Sequence, residues 1–192
     1  FLGNEERTTR TKLRAIQSYS GMTREQIAED PDLAMSQYYS IQDNIVMKDV
    51  QEWDLDRISS YCHVIKPDVL IIDQADKVSV NGNYTATHER LRELYRQLRE
   101  LGKRHDCAVI GVSQASAEAE GKTRVDFSMA ENSKTGKAAE CDVFCGIGRH
   151  SGQNEDSDPD NTRFVTISKN KISGFHGTIC VQIQPEIGRY TE

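Results

Sequence analysis

Four clusters of residues in this sequence have the types and spacing for phosphate chemistry. The first is Asp73, which closes the run Pro67-Asp68-Val69-Leu70-Ile71-Ile72-Asp73. Consecutive aliphatics bounded by acids fit a strand buried in a parallel sheet. An aspartate at the carboxyl end of such a strand faces the crevice where open α/β sheets bind ligands. There it can hold Mg²⁺ through water, as in nucleotide hydrolases. The second cluster is Ser113-Gln114, after Cys107-Ala108-Val109-Ile110-Gly111-Val112. A neutral amide at that point can sense a γ-phosphate. The third is Asn4-Glu5-Glu6, after what reads as another strand end; a carboxylate there can polarise an attacking water. The fourth is Ser168-Lys169-Asn170-Lys171-Ile172-Ser173-Gly174. Lys169 and Lys171 share one face of a strand and can reach a phosphate on a neighbouring subunit.

Each cluster also has an ordinary structural reading. Aspartates and polar residues end many strands, acidic residues open many helices, and basic edge strands resist unwanted pairing.

Positioning these groups takes strands that end together and helices that back them. Residues 8–19 read as a helix, with Leu13 and Ile16 at helical spacing. Thr23 with Gln26 three residues on forms a capping box at the start of a second helix, and Pro31 ends that helix or starts the next. Residues 54–65 place Leu55, Ile58, Tyr61 and Cys62 on one helical face. The clearest helix is 88–105, where Leu91, Leu94, Tyr95, Leu98 and Leu101 make one apolar stripe. The runs 107–114 and 142–147 read as a second and third buried strand, while 164–167 and 178–183 alternate and pair around Ser173-Gly174. Residues 151–162 are an acidic flexible loop without the glycine and spaced acids of a calcium site. The order of elements predicts an α/β fold with a mostly parallel sheet and a terminal hairpin.

Composition narrows the function. The chain has 192 residues, enough for one sizeable core. No apolar run approaches the roughly 18 residues of a membrane span, so no membrane partner is expected. The net charge of -6 argues against a protein that coats nucleic acid with its whole surface. Any DNA contact must come from a local patch or from loops concentrated by oligomer symmetry. Five cysteines without a CxxC pair predict buried free thiols in a reducing cytoplasm.

In their order along the chain, the clusters resemble the RecA-like ATPase domain of DnaB-type (superfamily 4) replicative helicases, phage types included. The resemblance runs from about Phe1 to Tyr190. It implies a P-loop NTPase core in which Glu5 is the catalytic base, Asp73 holds Mg²⁺ through water, and Gln114 senses the γ-phosphate. Residues 133–142 (SKTGKAAECD) are similar to the loop lining a central DNA channel, which makes Lys134 and Lys137 candidate DNA contacts. Residues 168–174 resemble a finger hairpin that would present Lys169 and Lys171 to the neighbouring subunit. The implied activity is ATP-dependent translocation on single-stranded DNA and unwinding of duplex. The implied cofactors are ATP and Mg²⁺. The implied partners are single-stranded DNA, further copies in a hexameric ring, primase and a helicase loader, in a bacterial or phage-infected cytoplasm.

The sequence departs from the family in three places. The phosphate-cradling GxxxxGK[ST] loop does not occur in residues 1–192, and is expected before Phe1 together with the strand that carries it. Gly121-Lys122-Thr123 lacks the leading glycine and follows the wrong strand, and Gly136-Lys137-Ala138 lacks the hydroxyl residue. The chain is therefore read as one partial domain, expected to bind ATP poorly and to be inactive by itself. Lys169 and Lys171 stand where a lysine and an arginine are usual, offering point charges in place of a bidentate fork. The channel loop lacks the usual Arg-Glu pair. Two other readings stay open: a RecA/RadA-type recombination ATPase, and a non-hydrolysing scaffold or loader subunit.

Overall fold

The computed structural model describes residues 1–131, 136–150 and 161–191. Lys134 and most of the acidic 151–162 loop therefore lie outside the described residues. The core is a parallel sheet in the order β2-β1-β3-β4, formed by β1 (Leu2–Gly3), β2 (Lys48–Asp49), β3 (Val69–Ile72) and β4 (Ala108–Gly111). Its pairings run Leu2↔Lys48, Leu2↔Ile72 and Ile72↔Gly111. All four strands point the same way, and β1, β3 and β4 end at one rim.

Helices α4 (Leu55–Ile65) and α5 (Thr87–His105) supply the apolar stripes that cover this sheet. Leu91, Leu94 and Leu98 of α5 and Ile58 of α4 are buried with Leu70 and Ile72 of β3. Burying each such side chain contributes about 1.5–3 kcal/mol relative to exposure. Asp54 caps α4, its carboxylate accepting from the Arg57 amide at 2.8 Å. The basic last turn of α5, Lys103-Arg104-His105, suits the negative end of the helix dipole.

Helices α1 (Thr8–Ser20), α2 (Arg24–Glu29) and α3 (Pro31–Tyr38) form a smaller cluster around Ile16, Ala34 and Tyr38. The capping box at Thr23 and Gln26 is present in both directions, and Pro31 opens α3 at its first turn. Gly21 ends α1 at φ +72°, a left-handed conformation that glycine adopts without a steric penalty.

Two expectations change. The run 107–114 reads as a buried strand, yet β4 forms the sheet edge, with Ile110 49% and Val112 44% exposed. Its outer edge has no strand beside it among the described residues. The run 142–147 does form a strand, β5 (Val143–Gly148), but not in the parallel sheet. It joins a separate antiparallel sheet ordered β5-β6-β7-β8, with β6 (Thr162–Asn170), β7 (Gly177–Gln184) and β8 (Arg189–Thr191). The expected hairpin is β6–β7, aligned from Thr162↔Gln182 to Ile167↔Gly177. Gly146 and Gly148 leave one face of β5 bare because the chain at Lys122, Thr123 and Val125 lies against it; a Cβ at either position would meet a backbone oxygen within 2.4 Å.

All five cysteines are free, as the sequence predicts. Burial is less uniform than expected, since Cys62 is buried while Cys145 and Cys180 are exposed on β5 and β7. Among the described residues no helix is long and apolar enough to cross a membrane, and no cluster of His, Cys, Asp and Glu could by itself hold a metal.

Candidate nucleotide site

The parallel register brings three of the sequence-selected residues to one rim. The Asp73 amide donates to the Leu2 carbonyl at 2.9 Å, continuing the β1–β3 pairing past the last strand residue. On the other side of β3, the Val112 amide donates to the Ile72 carbonyl and the Ala75 amide to the Val112 carbonyl, both at 2.9 Å. Glu5, Asp73 and Gln114 therefore follow the carboxyl ends of three adjacent parallel strands, where this sheet class presents ligands.

Their side chains differ in what holds them. Asp73 has no hydrogen bond or ion pair to its carboxylate among the described residues. The Gln114 side-chain amide is likewise without a partner there, while the Gln114 backbone carbonyl accepts from the Glu131 amide at 3.2 Å. Glu5 is half-exposed, accepts a hydrogen bond from Gln74 Nε2, and has Lys77 Nζ 3.8 Å from its other oxygen. Gln74 is buried and left-handed, at φ 48° and ψ 58°. That turn directs its side chain back toward Glu5 while the next residue returns to the sheet. Glu6, the adjacent acid, is bound instead by Arg14 at 2.7 Å and Arg10 at 3.4 Å, so of the two acids only Glu5 is held by Gln74.

Lys169 and Lys171 stand at the β6–β7 hairpin. Lys169 donates to the Ala138 carbonyl and lies 3.5 Å from that of Ala139, in the second half of α6 (Gly136–Glu140). Burial pulls its ammonium below the usual lysine range. Lys171 is 3.8 Å from Asp142, which also accepts from Arg99 at 3.0 Å. Both lysines thus meet their own chain. The sequence places Lys137 on an exposed loop; in the structure it is 2% exposed and its Nζ is 2.5 Å from Asp76 Oδ2. In this structure the Lys137 side chain therefore faces Asp76 and not the surface. The physical reason is the carboxylate of Asp76, which compensates the buried charge.

Sequence reasoning misses Asp76. Its carboxylate accepts from Tyr95 Oη at 2.8 Å, from Ser113 Oγ at 2.9 Å and from Lys137. Burial, then the Asp76 charge, pushes the Tyr95 hydroxyl well above its usual range. The signal available in the sequence is weak: an acid three residues past Asp73, with no local partner.

The residues fit part of a nucleotide site. An aspartate without a protein partner suits a hard cation, and an unpartnered amide suits a phosphate oxygen. The backbone cradle that would anchor the phosphates is not formed by any of these residues.

Comparison with known proteins agrees with this architecture. The chain superposes on a solved ATPase domain with a TM-score of 0.83 and 20% identity, covering 98% of this chain and 72% of that one. A DnaB-like replicative helicase, solved in a study of its interactions with primase, gives a TM-score of 0.82 at 19% identity; the match covers 98% of this chain and 50% of that one. The RadB recombinase gives 0.52 at 12% identity, over 97% of this chain and 76% of that one. These likenesses establish the RecA-like helicase fold. No curated protein matches the sequence. Residues 7–192 match the family described as the DnaB-like helicase C terminal domain, and the chain belongs to that family.

Proposed function

We propose that this chain is the ATPase and DNA-translocating core of a ring-forming replicative DNA helicase, most of one RecA-like domain within a longer protein. The observation that carries this reading is the common rim of β1, β3 and β4, which collects Glu5, Asp73 and Gln114 in a chain of the DnaB-like family. Glu5 takes a proton from the attacking water, Asp73 orients the hydrated cation, and Gln114 registers the terminal phosphate. Mg²⁺ held at Asp73 would offset the charge that develops on the phosphoryl group transferred from ATP.

Among the described residues no strand pairs with the outer edge of β4 or of β5, and Ile110, Val112, Val143 and Ile147 are exposed on or beside them. A strand seated there would cover this apolar surface. Lys169 and Lys171 are the finger residues that act on a neighbouring subunit's nucleotide, and they must first release Ala138 and Asp142. Lys134 contacts the backbone of single-stranded DNA. Primase and a loader are partners of the assembled hexamer, which works in the cytoplasm of a bacterial or phage-infected cell.

A recombination ATPase would share the core, but the likeness to RadB is much weaker than that to the DnaB-like helicase. The test is DNA-stimulated ATPase and unwinding by the full-length protein, with Glu5→Gln as control. Unwinding that needs Glu5 supports the reading. An intact full-length protein without ATPase would favour the scaffold or loader role.

A further inference from the structure

Lys137 and Asp76 form the most enclosed charge pair among the described residues. Lys137 is 2% exposed and Asp76 21%. Besides Asp76, the Lys137 ammonium donates to Ser113 Oγ at 2.7 Å and lies 5.8 Å from the centre of the Tyr95 ring. Ser113 in turn donates to Asp76 at 2.9 Å. The pair thus ties together the turn after β3, the end of β4 and the start of α6.

The position of this knot is what gives it meaning. Asp76 lies three residues beyond Asp73, Ser113 immediately precedes Gln114, and Lys137 is in the first turn of α6. Helix α6 is held at its other end by Lys169 on the Ala138 and Ala139 carbonyls, and by Arg99 on the Glu140 carbonyl at 3.3 Å. The chain between Gln114 and α6 is pinned once more, by the pairing of Ala115 with Ala130. A helix that only needed packing would be held as well by an apolar residue at 137, because desolvating an ion pair commonly cancels its Coulombic gain. A directional pair instead ties α6 to the one hydroxyl adjacent to Gln114.

We propose that Lys137 and Asp76 are positioning residues that couple the Gln114 segment to α6, so that nucleic-acid engagement of the chain and phosphate hydrolysis report on each other. This rests on the helicase reading above. When Gln114 moves, Ser113 moves with it, and the Lys137–Asp76 pair carries that displacement to α6. The coupling is reciprocal: a shift of α6 changes the placement of Gln114.

The experiment measures ATPase of the full-length protein with and without a single-stranded oligothymidylate, giving the stimulation ratio and the KM for ATP. Lys137→Met removes the cation while Asp76 keeps its hydrogen bonds from Tyr95 and Ser113; the double variant Asp76→Asn with Lys137→Met removes both charges while keeping side-chain volume. The stimulation ratio is expected to fall by about threefold to thirtyfold in the double variant, the range over which residues touching neither ligand alter coupling, with little change in KM. Loss of active protein would scale basal and stimulated rates together and leave the ratio intact. A double variant with the wild-type ratio overturns the proposal, and so does one that cannot fold, since the pair is then only structural. Wild-type protein that hydrolyses ATP without any response to DNA overturns the helicase reading itself.

Discussion

The two sheets of this molecule solve the problem of stability differently. The parallel sheet is backed by α4 and α5 and holds most of the large buried side chains, from Leu70 and Ile72 to Leu94 and Leu98. The antiparallel sheet buries little: Thr166 and Val181 are enclosed, while Val143, Ile147, Ile179 and Tyr190 are each more than 40% exposed. Arg189 of β8 donates to the Ser18 carbonyl, and Gln17 to the Glu186 carbonyl at 2.7 Å, so part of its anchoring is polar and runs to α1. The contrast teaches that the first sheet holds most of the packed core and the rim with Glu5, Asp73 and Gln114, while the second leaves most of its large apolar side chains at the surface.

The largest effect that could break this contrast is catalytic. Glu5→Gln should lower kcat by about a hundredfold to ten-thousandfold in the full-length protein, the usual weight of a general base, in a steady-state ATPase assay. A smaller loss would move the chemistry off the parallel rim. Next comes stability. Leu94→Ala in the parallel core should cost about 2–5 kcal/mol in urea unfolding, whereas Ile179→Ala on the exposed face of β7 should stay within about 0.5 kcal/mol. Equal costs would mean the antiparallel sheet has a core of its own.

Thiol reactivity sharpens the same division. Burial pushes the Cys62 thiol up to about 11, so its thiolate is scarce at neutral pH. Alkylation followed by mass spectrometry should modify exposed Cys180 first and reach Cys62 only as the chain unfolds. A weaker effect is expected at Asp142, which Arg99 and Lys171 share at the junction of the two regions. Asp142→Asn should cost less than about 1 kcal/mol and less still in high salt. The smallest expected effect is one of pH. Hydrogen bonds from Arg96, then Gln97, hold Glu93 at about 2, below the ordinary 4.5. A depressed carboxylate stabilises the fold above its unfolded value, and that contribution is lost as pH falls from about 4.5 toward 2. Glu93→Gln should flatten the melting temperature across that interval.

Legibility followed the range of the interaction. The capping box at Thr23, the stripe of α5 and the Asp73 strand are local patterns, and each stands where the periodicity puts it. The meeting of Glu5 with Gln74 spans 69 residues, and only the order of strands reveals it. The enclosure of Lys137 is hidden in the same way, because its partner Asp76 lies 61 residues earlier. The exposure of Ile110 is equally hidden, since an apolar strand looks the same in sequence whether or not a strand lies beside it.

Gln74 carries a conflict between endurance and turnover. Its left-handed backbone is one that glycine would adopt more comfortably, so a lineage selected only for heat resistance would be drawn to glycine there. The side chain lost in that exchange is the one that holds Glu5. With Glu5 as the proposed base, adaptation to high temperature and adaptation for rapid hydrolysis would pull this single codon in opposite directions.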